Sequence, residues 1–248
     1  MSICVSSCGR SGTNLVLEIL SGNSKLQVSK KVEDKSFFKR HNSYPQIFWP
    51  FLWHASFNKY FLTKCDTVYY DIDDLDKAFK INKHLKIIWT VRDPRDMILS
   101  KLQRGQLEAL GGECKEQISD DATPQGCISD LKRMYHIFRH LEDNFKNQLL
   151  LIRMEDVILN IEFETRTMCD FLKIPFEKKM LDFLPRIRNE SKRKRYNDLD
   201  KNQIQLWKDW ENIYDGFFSK NKYPITSLFE QTRPMLMKFG YWPFYNIQ

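Results

Sequence analysis

The 248-residue chain lacks the marks of a membrane or exported protein. No stretch approaches the ~18 consecutive apolar residues that a membrane-spanning helix needs. The first twelve residues, MSICVSSCGRSG, have neither a basic start nor a long apolar run, so they do not resemble a signal peptide. We therefore expect a soluble, cytoplasmic protein without a membrane span.

Cysteine is present without any pattern that would give it a structural role. The six cysteines include no CxxC pair and no nearby Cys/His cluster. This spacing argues against a zinc site and against a disulfide framework. We expect reduced thiols and no bound metal.

The composition indicates an ordinary globular protein with a basic surface. Of the residues, 42% are hydrophobic and 29% are charged, which suits one domain over residues 1–248 with a substantial core. The formal net charge is +7, and the sequence pI is near 9.0. A surplus of this sign favours anionic partners, and it fits nucleic acid, membrane headgroups, acidic glycans and phosphorylated cofactors equally well.

Hydrophobic periodicity predicts alternating strands and helices. Strands are expected at Ser2–Ser7, 67–70, Lys86–Val91 and 148–153, and helices at Thr13–Leu20, 73–84, 95–103 and 128–145. The segment 105–126 reads as a long irregular excursion, and a further helical pattern runs to residue 172. This order predicts a three-layer α/β/α fold with a mainly parallel central sheet.

The loop after the first strand is rich in glycine and precedes a helix. Backbone N–H groups and the helix dipole form an anion site in such a place, although many strand-to-helix turns carry two glycines for packing alone. A nucleoside triphosphate loop needs a Lys before its Ser or Thr. Gly9 and Gly12 lie three apart and no Lys precedes Thr13, so a triphosphate fits poorly.

A second candidate site follows the apolar strand KIIWTV. Arg92 stands at the end of this strand, and Ser100 lies eight residues later, two turns along the next helix. These two residues could clamp a second phosphate, with Asp93 or Asp96 capping the helix. The alternative is a surface turn whose charges pair with each other.

Together the segments SSCGRSGTNL and VRDPRDMILS resemble the sulfotransferases that use 3′-phosphoadenosine 5′-phosphosulfate (PAPS), which have a P-loop NTPase-like fold. The segments LLIRMEDVILN, FLKIPF, LWKDWENIY and MLMKFGYWPF are similar to further parts of that family. The resemblance implies sulfuryl transfer to a hydroxyl-bearing acceptor, with adenosine 3′,5′-bisphosphate (PAP) as product. It assigns the 3′-phosphate to Arg92 and Ser100. It assigns the 5′-phosphosulfate to the loop of Gly9, Arg10, Ser11, Gly12, Thr13 and Asn14, with Arg10 also acting in catalysis.

The resemblance also suggests where to seek the catalytic base. Relatives that act on glycans or protein tyrosines place a Glu about twenty residues after the loop glycine, and Glu33 in KVEDKSFF is the nearest match. Relatives that act on small phenols and steroids use a His at the end of the second strand; Asp71 and Asp73 stand near that place here. His54 is a more remote candidate. We expect Glu33 to be the base and the chain to be closer to the glycan and protein-tyrosine type.

The basic tract of residues 186–195 has two interpretations. It is either a solvated loop or a segment that reaches the 3′-phosphate, for which Ser191, Arg195 and Lys201 are candidate contacts. It could equally attract an acidic acceptor.

Three other functions compete with sulfuryl transfer. In a nucleotide kinase, VYYDIDD would be a strand ending in magnesium-binding carboxylates. A nucleic-acid binder would use the basic tract and exposed aromatic residues, but we know of no nucleic-acid module with this order of strands and helices. A non-catalytic relative of the sulfotransferases is the third alternative.

Overall fold

The computed structural model describes residues 1–29, 34–35, 37–38, 60–109, 123–186, 204, 206–209 and 225–241. Five strands in these ranges form one sheet in which every adjacent pair is parallel, in the order β2-β3-β1-β4-β5. Chain order changes direction beside β1, and ligands bind in the crevice outside the carboxyl ends of strands at such a point. The strands are β1 (Ser2–Ser7), β2 (Leu26–Val28), β3 (Tyr60–Asp66), β4 (Lys86–Val91) and β5 (Leu149–Arg153).

Helices connect and follow the strands. Of the helices in the described ranges, none is long and apolar enough to cross a bilayer. The helices are α1 (Thr13–Leu20), α2 (Ile72–Ile81), α3 (Pro94–Ala109), α4 (Pro124–Phe145), α5 (Met154–Leu159), α6 (Ile161–Leu172), α7 (Ile225–Gln231) and α8 (Arg233–Lys238). Short 3-10 turns include Thr67–Tyr69, Lys146–Gln148 and Leu206–Asp209.

The sheet has a hydrophobic core on each face. Successive strand side chains point to opposite faces, so Cys4 of β1 joins one core while Ile3 and Val5 join the other. Helices α2, α3, α4, α7 and α8 contribute to the first core, and α1, α5 and α6 to the second. This arrangement confirms the predicted three-layer α/β fold with a parallel sheet.

Two predicted boundaries are wrong. The predicted strand at 67–70 is a 3-10 turn, and the strand lies earlier, at Tyr60–Asp66. Its sequence mixes polar and apolar residues, and only its pairing with β1 buries Thr63 and Asp66. Both ends of the irregular segment predicted at 105–126 are helical, because α3 continues to residue 109 and α4 begins at 124; residues 110–122 lie outside the described residues. Thr123 caps α4 by accepting the N–H of Gly126.

Candidate active site

The loop between β1 and α1 contains two residues with left-handed backbone. Gly12 has φ 91°, and a Cβ there would lie 3.0 Å from the Cγ and Sδ atoms of Met154. Only glycine therefore fits without strain. Arg10 has φ 74°, a conformation that costs a non-glycine residue about 1–3 kcal/mol and that concentrates at functional sites.

Ser11 fastens this loop to the sheet. Its hydroxyl donates to the carbonyl of Cys8 at 2.8 Å and lies 3.0 Å from the hydroxyl of Thr90 in β4. Because the side chain is fully buried in these contacts, only the backbone N–H of Ser11 remains to serve a ligand. The loop is thus held beside the carboxyl end of β4, because Thr90 lies two residues before Arg92.

The first turn of α1 is suited to an anion. None of the described side chains caps it, and it contains no acidic residue. Its N–H groups and the positive end of the helix dipole therefore favour negative charge. The Oδ1 atom of Asn14 is buried without a hydrogen-bond partner among the described residues. The glycine cradle, the Arg10 cation and the uncapped N–H groups of the first turn fit a phosphate-bearing ligand, whereas Oδ1 of Asn14 can only accept a hydrogen bond from a donor.

The two predicted phosphate motifs meet in the structure. The Nε–H group of Arg10 donates to the Oγ atom of Ser100 at 2.8 Å, joining residues 90 positions apart in sequence. Arg92, whose exposure is only 8%, lies at the end of the adjacent strand with its Nη2 atom 3.8 Å from Oδ2 of Asp96. Strands β1 and β4 are neighbours in the sheet, so the loop with Arg10 and the turn with Arg92 follow adjacent strands, and Arg10 contacts Ser100 on the helix after that turn.

Of the two predicted caps for α3, Asp93 has that role. Its Oδ1 atom accepts the backbone N–H of Arg95 at 2.9 Å, and its carboxylate also binds the Arg95 guanidinium. The Cζ atom of Arg95 in turn lies 3.4 Å from the ring centroid of Trp207. Asp96 instead accepts the backbone N–H of Trp207 at 2.9 Å. The charged side chains of Asp93, Arg95 and Asp96 therefore all contact other groups of the protein.

Glu155, just after β5, links the second motif to the C-terminal segment. Its Oε1 atom accepts the backbone N–H of Asp93 at 2.8 Å, and its Oε2 atom accepts the hydroxyl of Tyr241 at 2.6 Å. Burial raises the pKa of the Glu155 carboxyl, although these hydrogen bonds oppose the rise. The segment LLIRMEDVILN contains Glu155, but its sequence did not predict that this residue would bind Asp93 and Tyr241. The available signal was a carboxylate two residues after a predicted strand.

The predicted catalytic bases are only partly described. Glu33, His54, Ser191, Arg195 and Lys201 lie outside the described residues. Asp71 caps α2, because its Oδ1 atom accepts the N–H of Asp74 at 2.9 Å, and Asp71 and Asp73 are both exposed. The kinase interpretation of VYYDIDD as a strand ending in magnesium ligands is therefore wrong. Within the described ranges, no group of three His, Cys, Asp or Glu side chains could hold a metal ion.

Two other carboxylates lie near the carboxyl end of β3. Asp66 ends this strand opposite Ser7 of β1 and is 9% exposed. Asp34 is 2% exposed and donates its backbone N–H to the carbonyl of Lys64 at 2.8 Å. Sequence analysis missed Asp66 because it placed the end of the second strand four residues too late.

Comparison with known proteins agrees with this geometry. No curated protein matches the sequence. The structure is similar to the sulfotransferase domain from the curacin biosynthetic pathway (18% identity, 95% of this chain and 96% of that chain covered, TM-score 0.63). It is also similar to the sulfotransferase domain of the Synechococcus PCC 7002 olefin synthase (16% identity, 84% of this chain and 86% of that chain covered, TM-score 0.58). A third similar structure is mouse sulfotransferase SULT7A1 complexed with PAP (16% identity, 94% of this chain and 84% of that chain covered, TM-score 0.54). At these identities the likeness shows the fold. The family described as "Sulfotransferase domain" matches residues 2–222, nearly the whole chain, and the chain therefore belongs to the PAPS-dependent sulfotransferase family.

Proposed function

We propose that this protein transfers the sulfuryl group of PAPS to a hydroxyl of an acceptor, which is a glycan, a protein tyrosine or a small molecule. The observation that carries the proposal is the 2.8 Å contact between Arg10 and Ser100. It joins the loop assigned to the 5′-phosphosulfate with the helix assigned to the 3′-phosphate. One doubly phosphorylated nucleoside can then reach both motifs.

Each motif has a distinct task in this proposal. The backbone N–H groups of residues 9–14 and the Arg10 guanidinium bind the 5′-phosphate and neutralise charge on the leaving oxygen. Arg92 and Ser100 hold the 3′-phosphate by charge-assisted and neutral hydrogen bonds. When bound, PAPS supplies the sulfuryl group: the acceptor oxygen bonds to sulfur as the bond from sulfur to the 5′-phosphate oxygen breaks, and the acceptor proton passes to a carboxylate.

Two carboxylates compete for the role of base. Glu33 is supported by its resemblance to the glycan and protein-tyrosine type. Asp66 is supported by its position, since it ends β3 where the phenol and steroid type places a His. Asp66 pairs with Ser7 of β1, and the next residue, Cys8, begins the loop. In this proposal a carboxylate at the end of β3 receives the acceptor proton.

The cofactor assignment is tested by titrating PAP into the Arg92→Ala variant in a calorimeter. Loss of a charge-assisted phosphate contact, worth about 1.5–3 kcal/mol, should weaken binding about 10- to 150-fold. Arg92→Lys, which keeps the charge beside Asp96, should fold normally and bind with intermediate affinity. The control is Arg166→Ala, which removes an exposed pair with Glu162 on α6. Wild-type affinity in both Arg92 variants would contradict the assignment.

The base is tested by comparing the Glu33→Gln and Asp66→Asn variants in transfer of labelled sulfate from PAPS. The variant that lacks the base should lose roughly 100-fold or more of its turnover. Its affinity for PAP should remain at the wild-type value, because neither residue is assigned to the nucleotide. Full activity in both variants would show that another group accepts the proton.

A further inference from the structure

A buried ion pair lies close to the loop after β1, and neither of its residues is assigned to the nucleotide. Lys101 directly follows Ser100 on α3 and is 2% exposed; Asp130 on α4 is 6% exposed. The ammonium group of Lys101 donates to the Oδ2 atom of Asp130. The other oxygen, Oδ1, is buried and has no hydrogen-bond partner among the described residues. An oxygen that is buried and unsatisfied indicates a place for a donor from a ligand.

The packing of α4 locates this oxygen. Asp130 and Met134 are four residues apart and therefore share one face of the helix. The Sδ atom of Met134 lies 3.4 Å from the Sγ atom of Cys8, which begins the phosphosulfate loop. The chain runs from α4 into the start of β5, so α4 descends from the carboxyl edge of the sheet to its amino edge. Asp130 thus lies about 6 Å nearer the carboxyl edge than Met134, at the level of the loop.

A second contact of α4 places the same helix beside Asp66. Arg133 donates from Nε to the carbonyl of Thr67 at 2.9 Å, and from Nη2 to the carbonyl of Tyr70 at 2.5 Å. The middle of α4 therefore borders both the loop after β1 and the turn after Asp66, and Asp130 lies one helical turn closer to the N-terminus of α4. The charges of Asp130, Lys101 and Asp66 all act on the buried thiol of Cys8, although burial is the main cause of its raised pKa.

We propose that Lys101 and Asp130 form the polar wall of the acceptor site and select a neutral acceptor with two or more hydroxyl groups, such as a carbohydrate. The inference rests on the proposed sulfotransferase function. A second hydroxyl can donate to Oδ1 of Asp130 and accept from the ammonium of Lys101, because a hydroxyl is both donor and acceptor. An apolar phenol or steroid leaves Oδ1 unsatisfied, a penalty that lets a site reject such analogues strongly.

The charges of the wall argue against ionic acceptors. A carboxylate or sulfate placed beside Oδ1 of Asp130 would meet a like charge and would leave Oδ1 without a donor, because ionised oxygens only accept hydrogen bonds. An ammonium group would be repelled by Lys101 and could not accept its hydrogen bond. A neutral polyol avoids both penalties, which narrows the acceptor classes that the sequence left open.

The test measures transfer of labelled sulfate from PAPS to matched acceptors. Methyl glucoside and cis-1,2-cyclohexanediol are compared with cyclohexanol and 4-nitrophenol, and with glucosamine and methyl glucuronide as charged analogues. The wild-type protein should prefer the neutral polyols over the monohydroxyl acceptors by roughly 100-fold in kcat/KM. Preference for a phenol or for either charged sugar would overturn the inference.

Variants separate this role from folding and from nucleotide binding. Asp130→Asn, which keeps the volume of the side chain, and Lys101→Met should each reduce the polyol preference to about tenfold or less. Their affinity for PAP should stay within about twofold of wild type. The control is Asp76→Asn. Asp76 is exposed on α2 and pairs with His140 of α4, so this variant also removes a carboxylate that contacts α4. Unchanged selectivity in both site variants would overturn the proposal.

The two proposals fail in different ways. A protein that binds PAP but sulfates no polyol contradicts the acceptor inference and leaves the cofactor assignment standing. A protein that does not bind PAP contradicts the proposed function itself.

Discussion

Asp96 is a single carboxyl group that is shared between the proposed phosphate site and the C-terminal half of the chain. Burial raises its pKa to about 7, and the charges of Asp93 and Glu155 act in the same direction. The Arg92 guanidinium and the backbone N–H of Trp207 oppose the rise. Near neutral pH the group is therefore partly ionised. When Asp96 is ionised, its carboxylate competes with a bound phosphate for the Arg92 guanidinium; when Asp96 is protonated, this competition is weaker.

We expect the affinity for PAP to fall as the pH rises through about 7, because ionised Asp96 competes with the phosphate for Arg92. The fall should reach about tenfold for each unit by which bound phosphate raises the pKa of Asp96. Calorimetry at about pH 6 and about pH 8 should show this fall in wild type and lose it in Asp96→Asn. The ionisation of the PAP phosphates affects both proteins equally, so the difference between wild type and Asp96→Asn reports Asp96 alone. An identical pH dependence in both proteins would contradict the prediction.

The same carboxyl group affects stability in a definite direction. Its pKa is higher in the folded protein than the ordinary value of 3.8, so the folded state retains a proton that the unfolded state releases. The linked stabilisation is complete below about pH 4 and is lost as the pH rises to about 7, at up to about 1.4 kcal/mol per pH unit. Urea unfolding of Asp96→Asn should lack this component.

At the scale of secondary structure, Glu155 joins three elements that are remote in sequence. It contacts the turn between β4 and α3 through Asp93, and it contacts Tyr241, which lies three residues after α8 and 86 positions from Glu155. Each contact satisfies one oxygen of a buried carboxyl group. The turn that carries Arg92 is therefore positioned partly by the C-terminal segment.

Tyr241→Phe should lower the free energy of unfolding by about 1–3 kcal/mol, because it removes the donor to a buried oxygen of Glu155. The ring contact with Arg153, whose Cζ lies 4.4 Å from the Tyr241 centroid, is retained in Phe and serves as an internal control. Urea unfolding of Tyr241→Phe, Glu155→Gln and the double variant should give a coupling of about 0.5–3 kcal/mol. Additive effects would show that the hydrogen bond contributes nothing.

At the scale of the whole molecule, nucleotide binding should stabilise the fold selectively. PAP at about 100 times its Kd should raise the free energy of unfolding by about 2.7 kcal/mol. ATP with magnesium at the same concentration should stabilise less, because no Lys precedes Thr13 to meet a terminal phosphate. Chemical denaturation with each ligand measures the difference. Greater stabilisation by ATP with magnesium would favour a kinase.

A matched ligand separates the two ends of the site. Adenosine 5′-phosphosulfate lacks the 3′-phosphate and should stabilise less than PAPS in wild type. The difference should shrink in Arg92→Lys, which cannot form a bidentate contact. Equal stabilisation by both ligands in wild type would remove the 3′-phosphate from the second motif.

The sequence alone determined several of the local elements. Strands Ser2–Ser7 and Lys86–Val91 and helix Thr13–Leu20 lie where periodicity predicts them. Such elements depend on neighbouring residues, since apolar spacing and glycine conformation act over a few positions. The same local patterns predicted an anion site at residues 9–14, which stays a prediction, and narrowed the cap of α3 to Asp93 or Asp96, of which the structure shows Asp93.

Only the tertiary structure decided which distant groups meet. The contact of Arg10 with Ser100 spans 90 positions, and that of Asp96 with Trp207 spans 111. The end of β3 at Asp66 follows from pairing with β1, and the unsatisfied oxygen of Asp130 from the packing of α4. Strand order and helix packing set these juxtapositions, and they arise from the burial of whole faces, which no short stretch of sequence encodes.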